Sequence, residues 1–310
     1  MLFRSGAPLS AGDVGFRIAP RINAAGRMDH AGEVVEMLLT PDERRARAIA
    51  QRLDLLNQDR QRACEVIVRE IQERFGASGG PDPSQAGLVF YSPNWHRGVV
   101  GIVANRLVEL YHRPAIVLGR DERTGLVQGS GRSIGGFHLL NALEAMPDLF
   151  VRFGGHKQAV GVTLEAERVE ELVHRFAEQA RQALSEEDLA PETVIDAELA
   201  MEELTDTTAS EVLQLAPFGL GNRVPCFLLR GVEIRSKPEA FGRDGEHLRV
   251  RIGSASRQTA AKLWRGSGRS EELAPGTRID AVVSIEDDPY SARRGFAPWS
   301  LTLKDLRPAR

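Results

Sequence analysis

The sequence predicts an α/β sheet domain carried on a long helix and followed by a small all-β barrel. Three observations predict it. An apolar residue recurs every three to four positions through 41–76. Strand-like and helix-like runs then alternate over 86–185, and from 194 to 310 short β runs are separated by Gly and Pro turns.

The composition fits this reading. The 310 residues are 42% hydrophobic and 27% charged, as in globular proteins of about two domains. No run of eighteen apolar residues occurs, so no membrane span is expected. The first residues lack the basic-then-apolar layout of a signal peptide. Cys64 and Cys226 are the only cysteines, which argues against a disulfide framework or a structural zinc site and for a reducing cytoplasm.

Residues 1–40, rich in Gly, Ala and Arg, are expected to hold one short helix over 31–39. They are too few for a core of their own and read as the tail of a larger domain. Thr40 as cap, Pro41 at the first helical position and Glu43 closing a capping box start the long helix. Ile49, Leu53, Leu56, Ala63, Ile67 and Ile71 mark its apolar side until Gly76, a run of about 34 residues or about 50 Å. After a loop at 78–85 come a strand at 87–91, a helix at 98–111, and strands at 115–118 and 126–130. A helix at 136–145, a strand at 160–165 and a helix at 169–184 complete the domain. Acidic 185–193 reads as a linker. "CFLLRGVEI", "HLRVRIG", "RIDAVVSIED" and "WSLTLKDLRP", with one helical piece at 201–215, then form the barrel.

Charge is distributed unevenly. The segment 165–211 is strongly acidic, whereas 230–270 carries ten Lys or Arg against four acids. A basic segment inside a chain of net charge −3 is the footprint of a polyanion site, with a solvated basic face as the alternative. Arg249 and Arg251 alternate with Leu248, Val250 and Ile252, so both point to one strand face. Lys262, Trp264 and Phe241 lie nearby in sequence. Trp264 suits either base stacking or the barrel interior.

Three stretches could hold phosphate. In "NWHRGVVGIVANRL" (94–107), His96 and Arg97 precede glycines at a helix N-terminus, where free N–H groups favour anions, while Trp95 and Val99 to Val103 read as core. In "QGSGRSIGGFH" (128–138), Ser130, Arg132 and Ser133 stand among glycines, a guanidinium fork flanked by hydroxyls. In "RFGGHKQAVGVTL" (152–164), Gly154 and Gly155 precede His156 and Lys157, and the histidine suits phosphate donation or general acid work. The histidines are scattered with no two of them at metal-ligand spacing, and Asp29-His30 reads as a solvated turn. A Walker lysine loop is absent. "FGLGNRVP" (218–225) lacks the helix a nucleotide loop needs.

"PRINAAGRM" (20–28), the capped long helix, "NWHRGVVGIVANRL", "GSGRS", "FGGHKQAVGVTL" and "APFGLGNRVPCFLL" (216–229) occur in an order that resembles the bacterial RecJ family. Its members are single-strand-specific DNA exonucleases of the DHH phosphoesterase superfamily that digest from the 5′ end. The resemblance implies a remnant of the catalytic DHH domain at 1–40 and a connecting helix at 41–76. A DHH-associated α/β domain at 86–185 and an OB-fold at 194–310 follow. It implies that Ser130 and Arg132 hold the terminal phosphate and that His156 faces the scissile phosphate, with Asn23 and Arg27 approaching from the catalytic side. The family's Asp-His-His metal motifs find no match here. The chain is therefore expected to hold no metal itself and to be inactive alone, with Mn or Mg serving the complete enzyme in DNA repair and recombination. Single-stranded DNA is the implied ligand, and single-strand-binding protein and recombination helicases are the implied partners. The rival readings are a non-catalytic single-strand-binding module and a DHH-family nuclease of short oligonucleotides. The basic barrel argues against the latter.

Overall fold

The computed structural model describes Leu9 and residues 11–219, 221–242, 244–292, 295 and 297–309. The predicted segment 1–40 lies outside the described residues at Met1 to Pro8 and at Ser10. The chain divides into two compact units, Met1–Pro191 and Glu192–Arg310.

In the first unit a helical stretch at 11–18 runs into α1 (Ala19–Met28), which precedes α2 (Gly32–Leu39). Sequence reasoning expects only the second of these. The apolar repeat of α1 is short, and it is stabilised by burying Ala24 and Ala25 completely. Pro20 lies in its first turn, where a missing N–H costs nothing. The long helix α3 spans Glu43–Arg74, 32 residues. Its cap is Asp42 rather than Thr40. The Asp42 carboxylate accepts from the Arg44 and Arg45 N–H groups at 2.8 and 3.3 Å, and Thr40 Oγ1 accepts from the Asp42 N–H at 3.2 Å. Pro41 therefore precedes the helix, which starts two residues later than the capping-box reading requires.

The apolar side of α3 serves two cores. Ile49 and Leu53 pack with Ala25 of α1 and Val34 of α2, while Ile67 and Ile71 join the α/β layer. That layer comprises β1 (Leu88–Ser92), α4 (Val100–Tyr111), β2 (Ala115–Arg120), β3 (Val127–Arg132), α5 (Leu139–Glu144), β4 (Arg152–His156), β5 (Ala159–Leu164) and α6 (Val169–Ala183). The sheet order is β1-β2-β3-β5-β4, with β1 and β2 parallel and the other neighbours antiparallel. Ile116, Leu118, Val127, Val160, Val162 and Leu164 pack toward α5 and α6. Leu88, Phe90, Ala115 and Val117 face α4 and α3, and Trp95, Val99, Val100 and Val103 are core as expected. Strand β4 carries no strand signal of its own. It forms because β5 supplies a ladder, pairing Gly154 with Gly161 and His156 with Ala159.

The second unit contains β6 (Ala197–Glu198), α7 (Asp206–Leu213), β7 (Phe227–Ile234), β8 (Glu239–Phe241), β9 (His247–Gly253), β10 (Gln258–Leu263), β11 (Arg278–Asp287) and β12 (Trp299–Pro308). Strands β7, β11, β12, β10 and β9 follow one another, and β9 pairs back to β7, closing a five-stranded barrel with β6 and β8 appended. The predicted 201–215 helix is a tight turn at Met201–Glu203 followed by α7. Strand β10 falls outside the four expected β runs, because in "QTAAKL" only Ala261 and Leu263 are buried. Leu229, Ile234, Val250, Ile252, Val283 and Leu301 fill the interior. No described helix is long and apolar enough to cross a membrane.

Candidate nucleic-acid interface

In the first unit a cleft of about 570 Å³ opens between the Gly26–His30 segment, the loop before α4 and strand β3. Arg27, His96, Arg97, Gly98, Gln128 and Ser130 are among its walls. The walls are close because residue 98 has no side chain: a Cβ there would overlap the Arg27 carbonyl oxygen. The first turn of α4 approaches β3 in the same way. A Cβ on Gly101 would lie 3.2 Å from Arg132 Nη2 and 3.3 Å from Ser130 Oγ.

Two guanidinium groups carry charge here: Arg27 lines the cleft, and Arg132, beside Ser130 at its edge, is near enough for the two charges to oppose each other. Arg27 Nη1 donates weakly to the Gly98 carbonyl at 3.5 Å, and Arg132 Nη1 donates to the Gly131 carbonyl at 2.7 Å. Neither forms an ion pair with a carboxylate among the described residues. Burial, and then the neighbouring Arg27 charge, pull the Arg132 pKa below its ordinary value. An exposed cation, Arg27, opposing a half-buried one, Arg132, leaves a place that an anion would stabilise. The Ser130 hydroxyl lies beside it.

Both histidines accept a backbone hydrogen bond. His96 Nδ1 accepts from the Gly98 N–H at 3.1 Å, and His156 Nδ1 accepts from the Gln158 N–H at 3.3 Å. In the neutral ring the proton is therefore on Nε2 in both, pointing outward. His156 lies in register with Arg132 through Ala159 of β5. Both side chains thus share one sheet face, with Cα atoms about 10 Å apart, two strand spacings. Lys157 is exposed at the β4–β5 turn.

Other predicted residues do different work. The Ser133 hydroxyl is buried and donates to the Phe137 carbonyl at 2.9 Å, so it ties its own loop and is not offered to the cleft. Gly155 has φ +146°, and a Cβ would overlap the Ala159 carbonyl oxygen, so the hairpin itself requires glycine there. Gly154 faces open space. Asn23 is exposed one turn before Arg27 but does not line the cleft. Arg97 Nη1 donates to Asp121 Oδ2 at 2.8 Å and to Gln128 Oε1 at 3.1 Å. Asp121 and Gln128 were not singled out by sequence reasoning. In sequence Asp121 is only a turn residue, and nothing in its spacing links it to Arg97.

The second unit offers a different surface. Register places Phe241 opposite His247, and Lys262 opposite Arg249 with Ala260 opposite Arg251. These side chains lie on the outer face, away from buried Leu248, Val250 and Ile252. The rings of Phe241, His247 and Trp264 cluster with centroids 4.7–5.6 Å apart, and the Arg249 guanidinium lies 5.3 Å from the Phe241 centroid. Trp264 is 49% exposed, so the barrel-interior alternative is excluded. Trp299 takes the interior place instead and donates from Nε1 to Asp206 at 2.9 Å. Arg249 and Arg251 are exposed without an ion pair among the described residues. Lys262 is a correction: its Nζ is 2.9 Å from Asp288 Oδ2 in a largely buried pair, so its charge is already matched within the protein.

Among the described residues no three His, Cys, Asp or Glu side chains converge as metal ligands. Asp29 is paired with Arg52, which holds its carboxyl below the usual range.

Known proteins carry the same parts. The family models for the DHHA1 domain and the RecJ OB domain match residues 84–182 and 195–297. The single-stranded-DNA-specific exonuclease RecJ of Bacillus subtilis is 35% identical over 281 residues, covering 91% of this chain and 35% of that protein. RecJ of Thermus thermophilus is 34% identical over 304 residues, covering 95% and 40%. The crystal structure of Thermus thermophilus RecJ in complex with Mn2+ superimposes with TM-score 0.80 at 28% identity, over 98% of this chain and 43% of that one. The Mg2+ complex gives TM-score 0.79. The chain thus spans well under half the length of these relatives. With a DHHA1 α/β domain followed by a RecJ-type OB barrel, it belongs to the RecJ family.

Proposed function

We propose that this chain is the substrate-binding part of a 5′-to-3′ single-stranded-DNA exonuclease of repair and recombination. The observation that carries the reading is the pair of opposed charges on Arg27 and Arg132, neither ion-paired with a carboxylate among the described residues, with Arg132 and the Ser130 hydroxyl side by side at Gly101. A terminal 5′-phosphate is a dianion of suitable shape for a guanidinium fork and a hydroxyl. His156, on the same sheet face, presents Nε2–H toward the next phosphate of the strand. It serves there as hydrogen-bond donor or general acid. The outer face of β8, β9 and β10 is a single-strand surface in its own right, with Arg249 and Arg251 on phosphates and Trp264 and Phe241 on bases. Single-strand-binding protein and recombination helicases are the partners such an enzyme would meet, in the cytoplasm.

Residues 1–40 are read as the end of the catalytic DHH domain. Related RecJ structures hold Mn2+ or Mg2+, an ion that would activate water in the complete enzyme. The described residues offer no ligand set for it, and this chain's part is to bind and orient the strand. Alone it is expected to bind without cutting.

The test is the affinity of the chain for a 5′-phosphorylated oligothymidylate against its 5′-hydroxyl counterpart, by fluorescence anisotropy. Arg132→Ala should erase the preference for phosphate, a loss of about 1.5–3 kcal/mol for charge-assisted hydrogen bonds. An unchanged preference would show that the glycine-rich strand is only a turn-and-packing device.

A further inference from the structure

We infer that Asp121 is a positioning residue for the phosphate-binding cleft, acting through Arg97 and Gln128. The inference rests on the reading of that cleft as a phosphate site.

Asp121 follows the last residue of β2 and is 4% exposed. Its two oxygens have separate tasks. Oδ1 accepts from the Arg123 N–H at 3.0 Å, closing the turn into β3. Oδ2 accepts from Arg97 Nη1 at 2.8 Å and from Gln128 Nε2 at 3.2 Å. Arg97 Nη1 also reaches Gln128 Oε1 at 3.1 Å, so the three side chains form a closed triangle. Arg97 and Gln128 both line the cleft, on opposite walls of the α4–β3 gap. The Arg97 side chain remains 43% exposed, leaving the rest of its fork free for a ligand. Arg97 and His96 also form a wall of an adjoining cleft of about 440 Å³ with Arg120 and Arg123, so an unanchored Arg97 has somewhere else to go.

The sign of the effect separates positioning from simple charge. Asp121 is an anion beside an anion-binding cleft, so by Coulomb's law alone its neutralisation should tighten phosphate binding. If its work is to hold Arg97 in place, neutralisation should weaken binding, because the ligand must then order a free arginine. Ordering one such side chain corresponds to roughly a two- to tenfold loss of affinity. Asp121→Asn is selective: it keeps an oxygen for the Arg123 N–H while presenting N–H groups to the Arg97 guanidinium.

The experiment measures anisotropy of the full chain with a short 5′-phosphorylated oligothymidylate, for Asp121→Asn, Arg97→Ala and the double variant. Asp121→Asn should bind more weakly by the stated factor and add nothing in the Arg97→Ala background. Arg97→Lys, which keeps the charge but loses the fork, should reproduce the loss without touching the buried carboxylate. Unchanged or tighter binding by Asp121→Asn, a full further loss in the double variant, or wild-type binding by Arg97→Lys would each overturn the inference. Arg132→Ala, measured in parallel, separates it from the underlying reading. If only Arg132→Ala abolishes the phosphate preference, the positioning role fails alone. If only Asp121→Asn weakens binding, the phosphate sits at Arg97 and the Arg132 pocket fails. If neither matters, both fall.

Discussion

Changing Arg249 and Arg251 together to Ala, and separately Lys262 to Met, should divide grip from stability within the barrel unit. All three residues lie in the basic segment and share the outer face of β9 and β10. Only the two arginines are free to meet phosphates, since Lys262 is bound to Asp288 at 2.9 Å with side-chain exposures of 16% and 8%. Each single-strand phosphate neutralised contributes about 0.7 to the slope of log affinity against log salt. The double arginine variant should therefore lose up to about 1.4 in slope while melting near the wild-type temperature. Lys262→Met should leave the slope unchanged. It strands a buried carboxylate, which costs about 3 kcal/mol even at the low end, and should lower the melting temperature by roughly 10 °C. Anisotropy across a salt series and differential scanning calorimetry of the same three proteins decide it. Equal slopes for wild type and the arginine variant would refute the reasoning, as would a slope change in Lys262→Met without destabilisation.

Trp264→Ala should weaken single-strand binding by about 1–3 kcal/mol, and tryptophan quenching on DNA binding should vanish in Trp264→Phe. Trp95 and Trp299 are only 3% and 5% exposed, so quenching that persists would place the strand elsewhere. Acid should also weaken the barrel. Burial opposes ionisation of Asp288, but the Lys262 ammonium and the Ser291 N–H outweigh it and hold the carboxyl at about 2, against 3.8 for the unperturbed group. A depressed carboxyl stabilises the fold above the unfolded value and ceases to as pH falls through the folded one. About 2 kcal/mol should therefore disappear between roughly pH 4 and pH 2. Denaturant midpoints at pH 5 and pH 2.5 should show that share in the wild type and not in Asp288→Asn.

The long helix, the alternation of the α/β layer and the β barrel were legible because each rests on a local pattern: a period of 3.6 residues along α3, a continuous apolar run in β2 and a period of two along β9. The candidate phosphate residues were legible for a similar reason, since Arg132 among glycines and His156 after two glycines are unusual combinations of residue types. Weak or borrowed elements were not. Strand β4 exists only because β5 offers it a ladder, β10 has just two buried residues, and α1 is held by two small alanines against a helix distant in sequence. At 40–43 the sequence reading puts the cap at Thr40, whereas the first free N–H groups of α3 go to the Asp42 carboxylate and Thr40 caps only Asp42 itself.

At the sites, composition determined that basic and aromatic residues were available, and tertiary structure decided which of them are free. Lys262 and Arg249 are both basic residues on alternating strands, yet they sit in register on neighbouring strands and differ only in that Asp288 approaches one of them. Arg27 and Arg132 are over a hundred positions apart, and their mutual repulsion appears only once Gly98 lets the α4 loop press against the end of α1. The sequence by itself determined the local periods, the residue types and the bounds on charge. Which charges are matched, and which face each other unmatched, depends on contacts across sequence distance, and only the tertiary structure decided it.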